Sequence, residues 1–141
     1  MKQLLFVAAL LCTTAAIAEE APSPYQNLMT PLVTGGSDIL GSALAYPAAP
    51  LNITSAIVTI PAGGETGWHL HDVPVFAYIL EGELTVNYGT KGTKTYHTGE
   101  SVLEAVNWPH DGTNTGTVPV KVLTVYMGGG GKPNTVMQPA P

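Results

Sequence analysis

Residues 63–82 read GGETGWHLHDVPVFAYILEG, and this stretch decides the fold. His69 and His71 stand two apart, Val75 to Leu80 is an apolar run, and Glu81-Gly82 breaks it. Side chains alternate faces along a strand with a period of two. Both imidazoles therefore project to one side and reach a single ion from adjacent rungs. A His-x-His pair alone fits a metal site or a purely structural pair, so its surroundings must decide.

Working outward, the pattern stays that of short strands. Downstream, Glu83 to Tyr88 alternates, with Leu84 and Val86 on one side and Thr85 and Asn87 on the other. Gly89 to Gly92 reads as a hairpin turn. Thr93 to His97 is polar and alternating, so one side faces water. Val102 to Val106, Trp108 to Asp111 and Val118 to Tyr126 complete the set. Upstream, Leu51 to Ile60 is a strand with Ala56, Val58 and Ile60 on one face, and Pro61 to Gly64 turns the chain. Strand signals separated by turn residues, with no segment of helical period, predict an all-β sandwich or barrel. A small barrel with an open mouth is a natural ligand container.

The chain has 141 residues, room for one domain. Five Lys plus Arg against ten Asp plus Glu leave a net charge of −5, which excludes the cationic stripe that nucleic-acid binding needs. At 45% hydrophobic and 11% charged residues, the composition is that of a packed chain. Met1-Lys2, the apolar run Leu4 to Leu11 and Ala16-Ile17-Ala18 read as a signal peptide over residues 1–18, cleaved after Ala18. The expected locale is the periplasm or the exterior, with no membrane attachment after cleavage. Cys12, the single cysteine, leaves with the signal, so no disulfide or thiol chemistry is expected. The expected organisation is an N-terminal arm over residues 19–36, a β-barrel over 37–127 and a flexible C-terminal tail over 128–141.

A third histidine, His110, follows His71 after another turn and strand. Three neutral imidazoles suit Fe(II), Zn, Cu or Ni. The glycines around them are spaced tellingly. Gly63 precedes His69, Gly82 follows His71, Gly99 precedes His110, and Asn114 lies beyond it. These spacings resemble the two motifs of the cupin family, carried here by residues 63–82 and by 99–114 (GESVLEAVNWPHDGTN). The resemblance implies a single-domain jelly-roll β-barrel with His69, His71 and His110 as metal ligands. Three positions depart from the pattern: Val75 stands where the family has its ligand Glu, and Ala105 and Asn107 stand where it has Pro and Gly.

The resemblance thus implies the three-His variant, which includes Fe(II) dioxygenases. Without the carboxylate the site is one charge more positive, which favours an anionic ligand. The expected cofactor is one divalent transition metal: Fe(II) for an oxygenase, with Zn, Mn, Cu or Ni as alternatives for an exported protein. Cupins often pair through their outer sheets, so the resemblance also implies a homodimer.

Glu104 is the candidate catalytic residue. It interrupts the apolar run Val102 to Val106. A buried carboxylate needs a partner or a raised pKa. Facing inward, it serves as a fourth ligand, a partner to a ligand imidazole or a general base; facing outward, it is a rim residue. Trp108 is a candidate pocket-lining residue, Trp68 a packing or subunit-contact residue, and His97 a surface residue. Val75 and Ala77 make a small, apolar wall suited to a small, partly apolar ligand.

Two functions follow from this reading. One is a metal-dependent enzyme, dioxygenase-like or a lyase or isomerase, acting on a small anionic or enolisable substrate with Glu104 orienting it or accepting a proton. The other is a non-catalytic periplasmic cupin that binds or senses a metal or small ligand. An inward Glu104 favours the first.

Overall fold

Alternating apolar positions determine which strand faces turn inward. The computed structural model describes residues 24–141. The expected signal peptide, and the arm as far as residue 23, lie outside the described residues. Nine strands follow in order: β1 (Leu51–Ile60), β2 (His69–Leu70), β3 (Val75–Glu81), β4 (Glu83–Asn87), β5 (Thr93–His97), β6 (Ser101–Leu103), β7 (Asp111–Thr113), β8 (Val120–Gly129) and β9 (Val136–Met137). Among the described residues there is no α-helix, only single 3-10 turns at Gln26–Leu28 and Gly89–Lys91. The segment up to Thr30 forms a unit separate from Pro31–Pro141, and its described residues are exposed.

Three antiparallel ladders carry the strands, in the orders β1-β8-β3-β6, β5-β4-β7 and β2-β9. They do not close into one continuous barrel; the arrangement is that of a jelly roll. The first ladder is one wall. The second ladder runs on past β7: His69 and His110 exchange both backbone hydrogen bonds, at 2.9 and 2.8 Å, and the Thr66 N–H donates to the Gly112 carbonyl at 2.9 Å. β2 and β9 thereby extend the other wall. The shared core joins Ile60, Ala77, Ile79, Val102, Val120 and Val122 of the first wall to Val86, Tyr88 and Tyr96 of the second. Val75, Ala77 and Ile79 are buried while Phe76 and Tyr78 are half-exposed. Period-two alternation accounts for that pattern.

Two polar residues fix the loops. Asp38 is buried, and its carboxylate accepts the N–H groups of Leu40, Ser42 and Val106 at 2.9, 2.8 and 3.0 Å. It ties residues 38–42 to the segment leaving β6. Asn114 is fully buried; its amide donates to the Ile60 and Val118 carbonyls and its Oδ1 accepts from the Gly116 N–H. It is a turn residue, away from the ligand chemistry. Asn107 stands at the motif's glycine position and has φ 55°, the left-handed conformation that asparagine tolerates better than most residues.

The segment 128–141, expected as a flexible tail, is tied in. Its Val136–Met137 pairs with β2, and the Gln138 N–H donates to the Trp68 carbonyl at 2.8 Å. A strand of two residues in a Pro-flanked segment gives no strand period to read, which is why the sequence pattern misses this ladder.

Candidate metal centre

Strand alternation delivers the donors. His69 and His71 come from β2 and the residue following it, and His110 from the residue before β7. Glu104 directly follows β6 and shares the inward face of Val102; both line the central cavity. The imidazole and carboxylate donor atoms of His69, His71, Glu104 and His110 all lie within 4.8 Å of one another. The histidine ring centroids are 4.5 to 5.2 Å apart.

Glu104 corrects the expectation of a site lacking its carboxylate. Phe76 pairs with Leu103, and the Glu104 N–H donates to the Val75 carbonyl at 2.9 Å. Position 104 is therefore the cross-strand neighbour of position 75. Such neighbours carry their side chains about 5 Å apart on one face. The carboxylate lost at Val75 is supplied from the adjacent strand. The donor set is three His and one Glu, so the extra positive charge expected of a three-His site is absent.

Backbone carbonyls fix the imidazoles. His69 Nδ1 lies 2.7 Å from the Gly67 carbonyl, His71 Nδ1 2.7 Å from that of Asn134, and His110 Nδ1 2.9 Å from that of Trp108. A carbonyl only accepts, so each Nδ1 carries the proton. Each neutral ring then presents the Nε2 lone pair, the form that binds a metal. Thr66 supports His69: its hydroxyl lies 3.1 Å from an Asp111 carboxylate oxygen and accepts the Gly112 N–H at 2.9 Å.

The electrostatics call for a cation. Glu104 Oε2 lies 3.2 Å from His71 Nε2 and 3.4 Å from His110 Nε2. Two lone pairs and a carboxylate at these distances repel unless a proton or a cation sits among them. His110 Nε2 is the one buried side-chain nitrogen or oxygen among the described residues without a hydrogen-bond partner. Burial disfavours the Glu104 anion, but His110 and His71 outweigh it and hold its pKa at about 2. Of the two outcomes expected for a buried carboxylate, a partner or a raised pKa, the structure shows the partner. Burial also opposes a charged His71, yet Glu104 and the Asn134 carbonyl overcome it and raise the His71 pKa. The His69 pKa is lowered, chiefly by burial and with help from the two other imidazoles. The residues fit a divalent transition metal, for which imidazole and carboxylate are the usual donors.

The cluster opens into a cavity of about 450 Å³. Its wall mixes aliphatic side chains, among them Val58, Ile79, Val86 and Val122, with polar ones, among them Glu65, Thr66, Tyr88, Tyr96, Thr124 and Tyr126. Thr135 and Met137 of the C-terminal segment also line it. Trp108 does not line the cavity. It packs against the core and donates its Nε1–H to the Tyr88 carbonyl at 2.9 Å. His97 is exposed, as its strand pattern implies. Sequence reasoning missed Tyr88 and Tyr96. Parity held the signal: Tyr88 shares the inward face of Leu84 and Val86, and Tyr96 pairs with Leu84. The carbonyls of Gly67, Trp108 and Asn134 leave no signal in residue types.

A family model described as the cupin domain matches residues 56–126. No curated protein matches the chain. Among solved structures, oxalate decarboxylase of Lactobacillus farciminis, in complex with formate, aligns with a TM-score of 0.52 at 22% identity, over 60% of this chain and 26% of its own. The BH2720 protein of Bacillus halodurans aligns with a TM-score of 0.51 at 20% identity, over 60% of this chain and 67% of its own. The chain thus spans about a quarter of the decarboxylase's length. At these identities the likeness is one of fold.

Proposed function

This chain belongs to the cupin family, and from that premise we propose that it is a metal-dependent enzyme acting on a small, singly charged or enolisable oxygen-bearing substrate. The observation that carries the reading is the His69, His71, Glu104 and His110 cluster at the wall of a largely apolar cavity of about 450 Å³. A site built only to store a metal needs no such chamber. Three neutral imidazoles, one carboxylate and a divalent ion sum to a single positive charge, which suits a monoanion at the ion itself, while Glu65 also lines the cavity. A metal bound there would act as a Lewis acid toward the substrate oxygen. The chain's own residues orient and exclude. The three carbonyls hold the imidazoles, the aliphatic side chains offer the substrate an apolar surface, and in this reading Glu104 completes the donor set and orients the substrate. A dioxygenase-like reaction, or a lyase or isomerase reaction, is compatible with this donor set.

The test begins with metal content. The chain, purified without chelators beside a His69→Ala, His110→Ala variant, should carry close to one transition metal where the variant carries none. The loaded chain is then given acetylacetone as an enolisable probe, with its enolate absorbance and dissolved O₂ followed. Loss of the probe supports the enzyme. Binding without loss favours the non-catalytic binding cupin, and no metal under anaerobic reconstitution ends the metal reading.

We also propose export and a homodimer. Export rests on the residue 1–18 pattern, and N-terminal sequencing of protein recovered from the periplasm tests it. The homodimer is supported by the outer face of β1, where Leu51, Ile53 and Ile57 are each at least 60% exposed. Light scattering of an Ile53→Lys, Ile57→Lys variant tests it, with a monomer expected.

A further inference from the structure

The Tyr88 and Tyr96 hydroxyls lie 3.1 Å apart in the buried interior, and both residues line the cavity. Tyr88 stands beside the metal cluster, its ring centroid 5.8 Å from that of His110. Two phenols hold two O–H hydrogens, and the bond between them uses one. No other hydrogen bond of either hydroxyl exists among the described residues. One O–H donor is therefore uncommitted inside the chamber. A buried donor without an acceptor is costly, so the arrangement calls for an oxygen atom brought in from outside.

We infer that the Tyr88–Tyr96 pair is a second anchor for the ligand, donating its free O–H to an acceptor oxygen other than the group held by the His69, His71, Glu104 and His110 cluster. This rests on the reading of that cluster as the metal centre, and it narrows the substrate class. The ligand is a small monoanion with a second, neutral oxygen function across a short apolar spacer, such as an oxo or hydroxy acid. Burial, foremost, raises the pKa of both phenols. They remain donors at ordinary pH. The first hydroxyl donates to the second, which polarises the second toward the ligand.

The probes are 4-oxopentanoate and 5-oxohexanoate, each compared with the same acid lacking the ketone, pentanoate and hexanoate. Affinities are measured calorimetrically on the zinc-loaded chain and on the metal-free chain. In the parent, at least one oxo acid should bind about two- to tenfold more tightly than its alkyl counterpart, the worth of one hydrogen bond. Tyr88→Phe with Tyr96→Phe should abolish that advantage while leaving zinc stoichiometry and alkyl-acid affinity unchanged. The double substitution removes both hydroxyls together and leaves no orphan, so the fold should survive it; Tyr88→Phe alone is the second variant. The inference is overturned if neither oxo acid shows an advantage, if no probe binds, or if the advantage persists in the double variant. Zinc that fails to bind the parent ends the metal-centre reading instead, and the ketone comparison on the metal-free chain still decides the role of the tyrosines.

Discussion

The two walls of the cavity are built on different scales. One pairs the ten-residue strands β1 and β8 along their whole length and adds β3 and β6. The other carries its first ligand on β2, two residues long, whose ladder partner β9 is also two residues long. Burial concentrates in the first wall, where Val75, Ala77, Ile79, Val120 and Val122 are each at most 3% exposed. The second wall places His69 and His71 with a few hydrogen bonds, among them the Asn134 carbonyl on His71 Nδ1. Stability and ligand placement therefore reside in different parts of the molecule, and they should be separable.

The sharpest separation comes from one substitution in each wall. Ile79→Ala removes a buried side chain from the first wall and should cost about 2–4 kcal/mol of unfolding free energy, with zinc affinity nearly unchanged. Truncation after Lys132 removes β9, the Asn134 carbonyl and the Gln138 bond to Trp68. It should weaken zinc binding roughly 10- to 100-fold, the usual effect of losing a partner behind a ligand, with the thermal midpoint little moved. Urea unfolding and zinc calorimetry on both variants check this. Equal losses of stability and affinity in each would show that the walls act as one unit.

How much of this was legible in the sequence follows the same division. His69 and His71 are readable because period two is a local property of two residues. The inward face of Val75 and Ala77 is readable for the same reason. The role of Glu104 was half legible. Its place in an apolar run marks it, but its meeting with the histidines depends on the register of β6 against β3, set by residues far apart in the chain. The C-terminal segment was not legible at all. Its contribution to His71 is a main-chain carbonyl, which every residue type possesses.

That register supplies the next prediction, because Glu104 is the one donor of the cluster that stands beside the first wall's β3. Glu104→Val alone should lower zinc affinity at least about tenfold, as expected for a lost charged ligand. Adding Val75→Glu moves the carboxylate one rung across a rigid ladder, onto the same face. The double variant should recover most of the lost affinity, as calorimetry would show. A double variant no better than the single one would mean that positions 75 and 104 do not address the same point in space.

The smallest effect separates two histidines of one segment by what each faces. His71 contacts Glu104 at 3.2 Å and its pKa is raised; His69 faces the Gly67 carbonyl and its fellow imidazoles, and its pKa is lowered, chiefly by burial. For His71 the folded pKa lies above the unfolded value of 6.5, so its contribution to stability is complete below pH 6.5 and fades as pH rises through the folded value. For His69 the order is reversed: its contribution is complete above pH 6.5 and fades as pH falls below it. Glu104 adds a third loss only in acid, between its ordinary value of 4.5 and about 2. The metal-free protein should therefore be most stable near pH 6.5, with a decline on either side from a different histidine. Thermal midpoints in chelator across pH 4.5–9 measure this. His71→Gln should flatten the alkaline arm alone, and His69→Gln the arm just below pH 6.5. An alkaline arm that survives His71→Gln would mean that Glu104 does not govern His71 in the folded chain, and that the two walls do not meet electrostatically at that pair.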